Sequence, residues 1–98
     1  MRSKPLYKTA VDFTLTRNYC YVGVTDTSAA RTITLPPVSP AGDSPYIGQE
    51  FEIKDESGGA SSNNITVVGT IDNASNYAIN TDYGFLRVRF DGSSYWSI

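Results

Sequence analysis

Phe85-Leu86-Arg87-Val88-Arg89-Phe90-Asp91-Gly92-Ser93-Ser94-Tyr95-Trp96-Ser97-Ile98 closes the chain and gives the clearest indication of its fold. Leu86, Val88 and Phe90 occupy every second position, which is typical of a strand with one buried face. Asp91-Gly92 then favours a tight turn into a second strand. The stretch therefore predicts a terminal β-hairpin.

The same alternation extends upstream in short segments that are separated by polar turns. No segment of ten or more residues shows the 3.6-residue period of an amphipathic helix. We count eight or nine short strands, located near the following residues: Phe13, Tyr21, Ile33, Phe51, Ile65, Ile71, Tyr77, Val88 and Tyr95. The sequence predicts an all-β protein, a compact antiparallel β-sandwich of the jelly-roll kind. We expect one domain over residues 11–98, preceded by an extended N-terminal arm at residues 1–10.

Two longer loops interrupt the strands. Residues 36–48 contain four of the five prolines, so we expect a stiff surface loop there. Residues 55–63 contain no large apolar side chain, and we expect an exposed or mobile loop. Both loops are candidates for contact with a partner.

Composition argues against several classes of function. The net charge is −2, with eight basic and ten acidic residues spread along the chain, so no basic surface for nucleic acid is expected. No apolar run approaches the roughly 20 residues of a membrane span. The chain has one cysteine, Cys20, and no histidine, so neither an internal disulfide nor a usual zinc site is expected.

Few residues are suited to catalysis. Cys20 lies between two tyrosines in a predicted strand, where a thiol is typically a small core residue. Asp55 and Glu56 are adjacent and point to opposite sides of a strand end, so they do not converge as an acid/base pair. For them, and for Asp72 and Asp82, turn formation is the favoured role. We expect no enzyme activity, no catalytic residue, no metal and no cofactor.

Tyrosine is the one residue type in excess, with seven copies in 98 residues. Because tyrosine combines a large rigid ring with a polar tip, it is enriched at protein interfaces. Arg87 and Arg89 share one strand face. They either contact an acidic group on a partner or form a solvated face whose stems cover apolar surface.

Several short motifs follow one another in a recognisable order between residues 32 and 98. They are Thr32-Ile33-Thr34-Leu35-Pro36, Gly48-Gln49-Glu50-Phe51-Glu52-Ile53-Lys54-Asp55, Ser57-Gly58, Asn64-Ile65-Thr66-Val67, Ile71-Asp72, Asn80-Thr81-Asp82-Tyr83-Gly84 and Asp91-Gly92 before Trp96. This succession resembles a β-module found in virus and bacteriophage surface proteins, especially tail fibres and head decoration proteins. It covers about two-thirds of the chain.

The resemblance implies a β-sandwich that assembles as a homotrimer on the virion surface after synthesis in the host cytoplasm. If Met1 is the native start, a capsid decoration (cement) protein is favoured, with the major capsid protein as its partner. The alternative is a tail-fibre or spike tip that binds tail components and a host glycan or protein. A third reading is a non-viral carbohydrate-binding module, with Trp96 or a tyrosine stacked on a sugar ring.

Each role predicts its own set of contact residues. For decoration, the capsid would contact the arm through Arg2, Lys4, Tyr7 and Lys8. The predicted trimer interface consists of Tyr19, Tyr21, Tyr83, Arg87 and Arg89. For a fibre tip, the loop recognition surface would include Tyr46, Asp55, Glu56 and Asn63.

Overall fold

The computed structural model describes residues 6–38 and 44–98, in which every regular element is a β-strand. The protein is all-β, as the alternation predicts. Its strands are β1 (Leu6–Thr9), β2 (Phe13–Thr14), β3 (Tyr21–Val24), β4 (Arg31–Thr34), β5 (Glu50–Asp55), β6 (Ile65–Ile71), β7 (Ala74–Ile79), β8 (Phe85–Phe90) and β9 (Tyr95–Ser97).

Consecutive strands alternate between two parallel ladders. One ladder contains β1, β3 and β5, and the other contains β2, β4 and β6. The chain thus makes three successive turns, each of which adds one strand to both ladders. Strands that are parallel neighbours require a connection that passes through the other ladder, because a hairpin would reverse the strand direction.

Antiparallel strands join the two ladders at the C-terminal end. β7 returns along β6, β8 runs antiparallel to β5, and β9 runs antiparallel to β8. Tyr95 of β9 also pairs with Ile71 of β6. The sheet is therefore nearly closed, with β1 and β2 as its two ends in the described chain.

The ladders enclose a single core. Val22, Ile33, Ile53, Val67 and Val88 are fully buried and come from five different strands. The Cα radius of gyration is 12.8 Å, close to the roughly 13 Å expected for a compact chain of this length. Burial alternates strictly along β5 and β8, so the predicted inward face of β8 is confirmed.

Strand direction differs from the antiparallel jelly-roll prediction. Five of the pairings are parallel and three are antiparallel, and the predicted β8–β9 hairpin is among the latter. Alternating hydrophobicity determines which side chains face inward, but it does not determine the direction of the neighbouring strand. The turn at Arg17-Asn18 shows this, because β2 and β3 on either side of it do not pair.

The N-terminal segment also departs from its predicted boundaries. Leu6–Thr9, which we assigned to the arm, form β1 and pair with β3. Conversely, the strand predicted over residues 11–15 is reduced to Phe13–Thr14. The Thr9 hydroxyl donates to the Val11 carbonyl at 2.8 Å, which turns the chain there and leaves Val11 exposed.

Candidate interaction surface

The outward side chains of β1, β3, β5, β8 and β9 form one continuous surface, here called the outer face. Leu6, Tyr21, Glu52 and Arg87 lie side by side across four strands. One row further along, Glu50, Arg89 and Trp96 are neighbours on β5, β8 and β9. The strand register alone therefore brings aromatic, acidic and basic groups onto one surface.

Charges on the outer face are arranged in two adjacent columns. Glu50 and Glu52 form an acidic column on β5, and Arg87 and Arg89 form a basic column on β8. Arg87 donates to Glu52 at 3.3 Å, and Arg89 donates to Glu50 at 2.8 Å. The arginine side chains remain about half exposed, so these pairs are accessible to a partner.

Beside the columns, Tyr21, Glu56 and Lys8 form a compact cluster. The Tyr21 hydroxyl donates to the Glu56 carboxylate, and the Lys8 ammonium lies 2.9 Å from the other carboxylate oxygen. Burial, together with the nearby Glu56 carboxylate, raises the pKa of Tyr21. The hydrogen bond from Tyr21 and the Lys8 charge lower the pKa of Glu56. Both shifts favour a neutral phenol bound to an ionised carboxylate.

Large apolar side chains are exposed on both flanks of the columns. Leu6 is on the β1 side, whereas Trp96 and Ile98 are on the β9 side, with Ile98 beside Arg87. Phe85 is exposed opposite Lys54 at one end of the basic column. Exposed apolar groups that border polar ones are typical of surfaces that contact other proteins.

An open groove of about 480 Å³ runs along the β3 side of the acidic column. Its lining includes Leu6, Cys20, Tyr21 and Phe51, together with Glu52 and Arg87 of the two columns. Cys20 is a free thiol and is half-buried there. The groove thus combines an apolar floor with acidic and basic groups at its rim.

The structure brings together three of the five predicted trimer-interface residues. Tyr21, Arg87 and Arg89 share the outer face, and Tyr83 lies in the turn before β8, where its carbonyl accepts from Lys54. Tyr19 does not belong to this face. Its ring packs 5.3 Å from Tyr7, against the core.

The predicted capsid-contact residues lie in different surroundings. Arg2 and Lys4 lie outside the described residues. Tyr7 is half-buried, and its ring stacks on Phe13 with 4.2 Å between the centroids. The Lys8 side chain is largely exposed.

The predicted loop recognition residues do not form one patch of exposed groups. Tyr46 is exposed, with the Arg17 guanidinium 4.9 Å from its ring centroid. Asn63 is half-buried and donates to the Thr27 carbonyl at 3.0 Å. Glu56 belongs to the cluster on the outer face. Asp55 is fully buried, so its predicted role in surface recognition is wrong.

Asp55 instead organises the loop that we expected to be exposed or mobile. Its Oδ1 accepts from the main-chain N–H groups of Ser57 and Gly58, both at 2.9 Å. Its Oδ2 accepts from the N–H groups of Ala60 and Tyr83 at 3.0 and 3.1 Å. The carboxylate therefore joins the 55–60 segment to the turn before β8, and Ala60 is buried in the core.

These hydrogen bonds predict an acid-sensitive carboxylate. Burial alone would raise the pKa of Asp55, but the four N–H donors outweigh it and lower the pKa from 3.8 to about 2. Since the folded pKa is the lower one, the stabilisation is complete above about pH 4 and is lost as the pH falls to about 2. It amounts to about 2 kcal/mol.

Carbon-13 chemical shifts of the Asp55 carboxyl group, recorded between pH 6 and pH 1.5, measure this pKa directly. We expect a midpoint near 2. A midpoint at or above the ordinary value of 3.8 would contradict the proposed role of the four donors.

Aspartates and glutamates have different roles in the described residues. All six described aspartates accept a main-chain N–H group. Asp72 and Asp82 lie in turns, as predicted, but their carboxylates accept from the distant Ser97 and Ser61. Glu50, Glu52 and Glu56 instead contact basic or phenolic side chains on the outer face. Alternation along β8 placed Phe85 on the same face as Arg87 and Arg89, but Leu6, Phe85 and Trp96 were not among the predicted contact residues.

The remaining findings concern metal binding, membrane spans and similarity to known proteins. Within residues 6–38 and 44–98, no group of three cysteine, aspartate or glutamate side chains lies close enough together to hold a metal ion. The described part of the chain contains no helix long and apolar enough to span a membrane. No known protein family and no curated protein matches the sequence.

Proposed function

We propose that this chain is a homotrimeric structural protein of a virion surface that decorates the outer surface of the capsid. The observation that carries the proposal is the outer face. Exposed apolar side chains flank two columns of paired charges there, a combination suited to contact between proteins. The resemblance of residues 32–98 to virion β-modules supports the viral setting.

In this role the protein acts by binding. A trimer placed where coat subunits meet would contact several of them at once, and each contact would then reinforce the others. Such bridging stabilises the assembled shell without any chemical step. The N-terminal segment, with Arg2 and Lys4, is the proposed contact with the capsid. Lys8 lies where this segment meets the outer face, and the outer face serves self-assembly.

The test uses purified protein and shells of the virus that encodes it, prepared without the decoration protein. A variant that lacks residues 1–5 still begins at Leu6 and keeps β1 complete. We expect the unaltered protein to bind the shells as trimers and to raise their resistance to heating. The deletion variant should remain trimeric but lose at least tenfold in shell affinity.

Two results would count against the proposal. Equal shell binding by both proteins would exclude the N-terminal segment as the contact. Absence of binding by the unaltered protein, with immunogold label at the tail tip of complete virions, would favour the alternative below.

A fibre or spike tip is the second candidate, and the open end of the two ladders favours it. β1 and β2 are the last strands of their ladders in the described chain. A shaft that continued the same winding of the chain would add one strand parallel to β1 and another parallel to β2, since the two ladders already repeat in that way. In this case Tyr46 and the 55–63 loop would face a host glycan or protein.

A further inference from the structure

The outer face has a charge pattern that distinguishes between orientations of a second copy. The acidic column is on β5 and the basic column is on β8, and the register places them directly side by side. Neighbouring strands are about 4.8 Å apart. Between residues 50 and 52 of β5 and residues 87 and 89 of β8, the face is therefore electrically polar across the strands and has one sign of charge along each strand; Lys54 follows the acidic column on β5.

Consider a rotation axis that runs parallel to β5 and β8 in front of the face. Such an axis keeps each residue at its own height and turns the β8 side of one copy toward the β5 side of the next. Arg87 and Arg89 then meet Glu52 and Glu50 of the neighbouring copy. An axis across the strands would instead set each column against its own kind, which like-charge repulsion disfavours.

The two sides of the outer face are also complementary in shape under the same rotation. The β9 flank carries Trp96, which lies at the height of Glu50 and Arg89 and is 40% exposed; its indole N–H donates to Asp91 of the same chain at 2.7 Å, which holds the ring in place at the surface. The groove occupies the opposite half of the face and extends to the two columns, since its lining includes Cys20, Tyr21, Glu52 and Arg87. An indole ring has the size and the apolar character to occupy an open groove of about 480 Å³.

We propose that the outer face is the contact between copies of this chain, with Trp96 of one copy inserted into the Cys20 groove of the next around an axis parallel to the strands. The inference rests on the proposed function, because it names the surface by which the trimer forms. Around a three-fold axis the contact closes into a ring, and each copy supplies one indole and one groove.

The proposal predicts a specific disulfide between copies. Cys20 is the only cysteine in the chain, so a Trp96→Cys variant contains one thiol on each flank. Within one chain these thiols are separated by the steps from β3 through β5 and β8 to β9, about 14 Å. A disulfide requires Cα atoms within about 7 Å, so only a bond between copies can form.

After mild oxidation we expect Trp96→Cys to give covalent dimers and trimers on a non-reducing gel, with at least half of the protein cross-linked. Tyr77→Cys is the matched control, because Tyr77 is equally exposed but lies on β7, away from the outer face. The double variant Trp96→Cys/Cys20→Ser removes the thiol in the groove. Both controls should stay below a tenth of this yield.

A second measurement uses the unaltered protein, in which Trp96 is the only tryptophan. Dilution that dissociates the oligomer should shift the emission to longer wavelengths and raise acrylamide quenching at least threefold. A trimer by light scattering without the disulfide and without this fluorescence change would overturn the inference while leaving the proposed function intact. A monomer that binds shells would overturn the inference and the trimer but retain decoration.

Discussion

Asparagine in place of Asp55 is expected to lower the free energy of unfolding by about 4 kcal/mol, a large part of the total for a small domain. The carboxylate accepts four main-chain N–H groups and the Ser57 hydroxyl, and it is fully buried. An amide keeps one acceptor oxygen and places N–H donors against the remaining main-chain donors. The N–H group of Ala60, whose hydrogen bond to Asp55 is buried, would have neither the carboxylate nor water as a partner.

Urea unfolding followed by circular dichroism measures the effect of Asp55→Asn. Asp26→Asn is the matched control, because Asp26 also accepts a turn N–H, from Ser28, but has a side chain that is 43% exposed. The control should cost less than about 1 kcal/mol, since water can replace the lost acceptor. A loss below about 1 kcal/mol in Asp55→Asn would show that the carboxylate does not hold the loop.

The case of Asp55 shows what the sequence could and could not predict. The lack of large apolar residues between 55 and 63 correctly indicated a loop, but it also suggested mobility. Ordering here comes from a polar group whose donors include Tyr83, 28 positions away. No local pattern contains that contact, because it exists only after β5 and β8 have paired.

Alternating hydrophobicity predicts which side chains of a strand face inward, but it does not predict which strand lies beside it. Alternation along β8 identified its inward residues and placed Arg87 and Arg89 together on the other side. The neighbour of each strand depends on how the chain crosses between the ladders, which alternation does not encode. The sequence analysis therefore predicted the all-β class and a hairpin at its end, but not the parallel ladders.

The candidate surface was predictable to a similar extent. Tyr21 lies on the same face as the arginines, whereas Tyr19, which the alternation placed on the same strand face as Tyr21, packs against the core. β3 begins only at Tyr21, so the alternation does not extend back to Tyr19, and its ring turns toward Tyr7 and Phe13. Trp96 was assigned a sugar-stacking role in one alternative. Its position beside Glu50 and Arg89 follows from the strand register, which the sequence does not reveal.

Reversing the basic column is expected to abolish self-association. In Arg87→Glu/Arg89→Glu both columns of the outer face become acidic, so every copy repels the next in the proposed arrangement. Several like charges in contact cost about 3 kcal/mol or more, which corresponds to a dissociation constant raised at least about 100-fold. Sedimentation velocity over a range of concentrations measures the change, and circular dichroism checks that the fold persists.

Exchanging the columns separates this effect from simple damage to the face. The fourfold variant Glu50→Arg/Glu52→Arg/Arg87→Glu/Arg89→Glu again has one acidic and one basic column, with the pairs inside each chain also restored. It should recover association to within about tenfold of the unaltered protein, since the same rotation brings opposite charges together. If the exchanged variant stayed monomeric while folded, or the reversed variant still formed trimers, the columns would not specify the contact.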